Sequence, residues 1–166
     1  MKRGQAFDTM MLVISVIVAI AILAILLGFI TGIGSFGTSA KDVIPDKLKK
    51  INSAGYGIEL VDSAQFKSGD IITNVGLVKG LSILAEDLHI CCDSSLCPTS
   101  KDPLSLSGTG ASQYLKVVRD VKAAIAVCSQ DSTNYFVAVY KSKDGASSIC
   151  EKVLTASSPF TSCPTT

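Results

Sequence analysis

The one tight cluster of chemically capable side chains in this chain is His89, Cys91, Cys92 and Cys97. Imidazole and thiolate are favoured zinc ligands, so the cluster raises a metal hypothesis. Its spacing, H-x-C-C-x4-C, lacks the paired C-x2-C knuckles of tetrahedral zinc sites, and the sequence leads us to expect neither metal nor cofactor. No C-x-x-C is present either, which argues against a thioredoxin-like redox centre. With Cys128, Cys150 and Cys163 the cysteines number six, an even count that reads as disulfides.

Six cysteines allow fifteen pairings. Neighbours in a strand point to opposite faces, so Cys91 and Cys92 are expected to bond different partners. The expected pattern joins Cys150 to Cys163, Cys97 to one of the adjacent two, and Cys128 to the other. Catalysis finds no support. A Ser-His-Asp triad would have to use His89, the only histidine, and no G-x-S-x-G elbow accompanies it. Glu86 and Asp87 read as a polar helix end, not as a general acid and base. None of Asn52, Asn74 and Asn134 stands in an N-x-S/T sequon, so N-glycosylation is not expected, while O-linked decoration of the Ser/Thr-rich tail stays open.

The elements that must position these residues begin with an apolar run. Residues 9–40 carry no charged side chain, and within 10–30 only Ser15 and Gly28 interrupt the large apolar residues and alanines. As one helix, 10–30 would reach about 32 Å, enough to cross a bilayer core. It has no polar face, so it needs lipid or similar helices on every side. Lys2 and Arg3 precede the run and the next basic residue is Lys41, which places the N-terminus in the cytoplasm and the rest outside. All six cysteines lie on that outer side, where thiols are oxidised.

Downstream, Gly32, Gly34 and Gly37 give a formal G-x-G-x-x-G match, but it follows an apolar helix and opens no βαβ unit. It reads as a glycine-rich exit from the helix, and we reject dinucleotide binding. The spacing then predicts a helix over 45–53, a strand over 58–66, a turn at 67–70 and a helix over 71–84. It predicts a strand over 88–92, loop from 92 to 112, and strands over 114–118, 121–128 and 134–141. Lys143-Asp144-Gly145 reads as a turn. The fold class expected is α+β: a long N-terminal transmembrane or filament-core helix, then a small disulfide-bonded antiparallel β domain with one or two helices. Fifteen basic residues balance fourteen acidic ones and are dispersed, so nucleic-acid binding is not expected.

Three readings of the N-terminus compete. One is an ordinary secretory signal cut at Thr38-Ser39-Ala40, although its apolar core is longer than such signals use. The second is a plain uncleaved anchor. The third rests on Met1-Lys2-Arg3-Gly4-Gln5-Ala6-Phe7-Asp8: a short basic leader ending in Gly, then one acid, then the apolar run. This start resembles the class III signal of archaeal type IV pilins and pilin-like proteins. Many euryarchaeal members read Gln-x-Ser-x-Glu after the Gly. Here Gln5 matches, Phe7 and Thr9 stand where Ser and Glu are usual, and the acid comes one position early as Asp8.

The resemblance implies that a prepilin peptidase in the membrane cuts between Gly4 and Gln5, with 1–4 as leader, 5–37 as helix and exit, and 38–166 as outer domain. It implies a homo-oligomeric filament at the cell surface that serves attachment, with the helix in the core and the domain outward. Cutting removes Lys2 and Arg3, and Asp8 then has the new α-amino group of Gln5 as a charge partner; otherwise Asp8 is solvated or caps the helix. The rival function is a monomeric, membrane-anchored domain that binds a surface ligand without polymerising.

Overall fold

A computed structural model describes residues 13–23, 38–97, 103–158, 160 and 162–164. The chain divides into two units, 1–37 and 38–166. In the first unit, helical backbone (α1) covers residues 13–23. That corrects the expected fold class at its N-terminus. Eleven residues rise about 16 Å, half of a bilayer's apolar core, and among the described residues no helix is long and apolar enough to cross a membrane.

The second unit holds the remaining elements. Helix α2 (Ala40–Ala54) places Ala40, Ile44, Leu48 and Ile51 on one buried face, the 3.6-residue stripe of an amphipathic helix. It begins earlier than expected and carries Pro45 in its second turn. It ends at Gly55, whose left-handed φ of 82° lets its N–H donate to the Ile51 carbonyl at 2.8 Å. Strand β1 (Gly57–Phe66) follows, then β2 (Ile71–Thr73) and the short helix α3 (Asn74–Leu77). The helix expected over 71–84 is therefore a strand, one helical turn and loop. Gly76 and Gly80 weaken the helical option, and Ile71–Thr73 pairs with β5 instead.

After a 3-10 turn (Ala85–Asp87) come β3 (Leu88–Cys92), β4 (Leu104–Ser107), a second 3-10 turn (Gly110–Ser112), β5 (Tyr114–Val117), β6 (Val121–Ser129), β7 (Tyr135–Tyr140) and α4 (Lys143–Thr155). Strand β4 falls where loop was expected. Helix α4 begins where a turn was expected, because the Ser142 hydroxyl accepts from Gly145 N–H and caps it. The larger sheet has the order β1-β6-β7-β3, and the smaller has β2-β5-β4. The small disulfide-bonded α+β domain with antiparallel sheet is as expected, except that β3 runs parallel to β7 at the edge.

Strands β6 and β7 lie in the middle of the larger sheet and are covered on both faces. Their odd-numbered residues, including Ile125, Val127, Val137 and Val139, join α2 and the smaller sheet in one core. The even-numbered Ala124, Ala126, Phe136 and Ala138 pack with Ile149 and Val153 of α4 in a second core. The small alanines on that face let α4 approach closely. A strand buried on both sides reads as a continuous apolar run, which is why YFVAVY contains no polar position.

Candidate functional site

Disulfides organise the surface around β3. Cys91 faces the α4 side and bonds Cys163, strapping the C-terminal tail to the strand, whereas Cys92 faces the other core and bonds Cys97. Cys128 of β6 bonds Cys150 of α4. The adjacent cysteines thus take different partners and Cys97 takes one of them, as expected. The expected Cys150–Cys163 bridge and the link from Cys128 to the adjacent pair are replaced. The stripe that buries α4 aims Cys150 at β6, within reach of Cys128. With Cys91, Cys92 and Cys97 all oxidised, the His89 cluster offers no thiolate to a metal.

The edge of β3 is sealed by side chains instead of another strand. Gln113 folds its amide along Ile90, whose N–H donates to Oε1 at 2.8 Å while Nε2 donates to its carbonyl at 3.1 Å. One carboxamide reproduces the hydrogen bonds a neighbouring strand would supply, which blunts an edge otherwise open to pairing. Asn74, fully buried, does the same for three other carbonyls. Its Nδ2 reaches Leu88 O at 2.6 Å, Gly110 O at 2.9 Å and Ala85 O at 3.2 Å. Its Oδ1 has no donor among the described residues.

These ties hold the walls of an open cavity of about 580 Å³. Glu86 on the first 3-10 turn and His89 and Ile90 on β3 form one side. Leu106, Thr109 and Gln113, from β4 and the loop after it, form another, and Ser162 beside Cys163 closes the third. Gly108 turns that loop at φ 77°, and a Cβ there would collide with the Ser112 carbonyl. The His89 ring stacks on Phe136 with centroids 5.1 Å apart. Burial holds its pKa below the usual imidazole value and favours the neutral ring, against a hydrogen bond to the Asn134 side chain and the charge of Asp87, which both favour the protonated form. Glu86 is then the one charged group on the cavity wall among the described residues.

The sequence pointed to His89 and Glu86 without bringing them together in one site, and it missed Asn74, Gln113, Thr109 and Ser162. The signal for Asn74 was Thr73-x-x-Gly76, a capped turn in which Gly76 N–H donates to the Thr73 hydroxyl at 3.0 Å; the helical reading of 71–84 obscured it. Nothing local marks Gln113. Gly4, Gln5 and Asp8 lie outside the described residues, as does the glycine-rich segment 32–37.

No family model matches this chain, nor does any curated protein or solved structure.

The second surface of interest is α1. Val13, Ile14, Val16, Ile17, Val18, Ile20, Ile22 and Leu23 are each 49–61% exposed, and they surround the helix on all sides. So many large apolar side chains exposed together mark a surface that something apolar covers.

Proposed function

We propose that this chain is a structural subunit of a pilin-like filament at the cell surface. In this reading its apolar N-terminal segment packs against the same segment of other copies, and its disulfide-bonded domain faces outward for attachment. The observation that carries the reading is α1, apolar on every side and exposed along its whole described length. Equivalent helices from other copies satisfy such a surface all round, which a one-sided groove does not. Three disulfides fit a domain held outside the cytoplasm. The Gly4-Gln5 junction and Asp8 supply the resemblance to prepilin processing.

An ordinary secretory cut after Ala40 fits less well. Ala40 is 1% exposed in the core, and the Thr38 carbonyl accepts from Gln65 N–H at 3.0 Å, so that cut would remove parts of the folded domain.

N-terminal sequencing of the protein isolated from its own cell tests the proposal. A chain beginning at Gln5 is expected, and Gly4→Val should abolish the shift to the shorter form and the surface filaments together. A chain that retains Met1 or Lys2 in assembled material would overturn it.

A further inference from the structure

The cavity beside β3 has the build of a ligand site. Three separate stretches of chain converge on it, and each is fixed from behind. Asn74 pins the carbonyls of Ala85, Leu88 and Gly110; Gln113 is locked to Ile90; the Cys91–Cys163 bridge fastens the tail. Side chains that would project into such a space therefore start from fixed backbone positions, and the ordering cost falls on folding, not on binding. The volume of about 580 Å³ lies within the range of small-molecule sites.

From these walls we infer that the cavity binds a neutral saccharide. The Glu86 carboxylate accepts hydrogen bonds from sugar hydroxyls, and the Thr109 and Ser162 hydroxyls both donate and accept. His89 adds an imidazole, and the half-buried Leu106 offers an apolar patch to the C–H face of a pyranose. Among the described residues the only full charge on the wall is negative, which disfavours phosphorylated and carboxylated sugars. One carboxylate satisfied by hydroxyl donors needs no cationic ligand. Mixed hydroxyl, carboxylate and imidazole groups beside an apolar patch match an amphipathic polyol better than a wholly apolar molecule. The inference goes beyond assembly and holds whether or not the subunit polymerises.

The test uses the full chain, isotopically labelled, in a detergent without a sugar headgroup. Methyl α-mannoside, methyl β-galactoside, N-acetylglucosamine and maltotriose are titrated while the His89 ring and Gln113 amide signals are followed. Glucuronic acid and glucosamine serve as the anionic and cationic comparisons. At least one neutral sugar should shift both signals saturably, with a dissociation constant of about 1 mM. Glu86→Ala and Thr109→Val, both at exposed positions, should each weaken binding about tenfold while leaving the remaining spectrum folded. The inference is overturned if no neutral sugar saturates, if glucosamine or glucuronic acid alone binds, or if both variants bind like the parent chain.

Discussion

Asn74 shows how much one carboxamide can carry. Two N–H groups are shared among three carbonyls from three segments, that of Leu88 buried and those of Ala85 and Gly110 partly so. Asn74→Ala should cost about 3 kcal/mol of stability, because buried acceptors are left without donors; urea denaturation of the parent and variant measures it, and a loss below about 1 kcal/mol would refute the assignment. His89 gives a pH signature. Its folded pKa is depressed by burial, so the unfolded chain binds the proton more readily. Stability should be full above the ordinary imidazole value of about 6.5 and decline as pH falls below it. His89→Gln should remove that decline when denaturation midpoints are compared between pH 7.5 and 5. The carboxylates act in a lower window. Glu59 is held below its usual range by Lys50 and Lys47, and Asp93 by the Ser95 N–H, so their contributions disappear only as pH drops below about 4.

At the scale of elements, the three disulfides close loops of very different length. Cys91 and Cys163 are 72 residues apart, Cys128 and Cys150 are 22, and Cys92 and Cys97 are five. Chain-entropy arguments assign them about 4.4, 3.4 and 2 kcal/mol. Replacing both members of the longest pair by Ala should therefore lower the denaturation midpoint more than replacing both members of the shortest, and the reverse order would contradict the entropic account. The sequence made most of the larger sheet legible, because β1, β3, β6 and β7 each carry a run of apolar and β-branched residues at strand length. It did not disclose β4, whose LSLS is short and sits among turn residues, or α4, whose Lys-Asp-Gly start mimics a turn. Strand direction was also hidden, since the parallel match of β3 with β7 depends on where 93–134 leads the chain. The site itself was barely legible: His89 stood out only through its neighbouring cysteines, Glu86 read as a polar helix end, and Gln113, Thr109 and Ser162 reach the cavity only through folding.

For the whole molecule, two kinds of surface are kept in separate units. Residues 13–23 present apolar side chains all round, while the cavity of residues 38–166 presents polar ones from fixed backbone. The unit carrying the cavity also carries every cysteine, so its integrity depends on an oxidising surrounding. Here the adjacency of Cys91 and Cys92 has a further effect. A slip of β3 by one residue against β7 would exchange the two sulfurs between the faces of the sheet, presenting Cys92 to the tail and Cys91 to Cys97. Correct oxidation at this pair therefore proofreads strand placement: a misregistered chain would be trapped as a distinct disulfide isomer, separable by mass mapping, instead of passing unnoticed into an assembly.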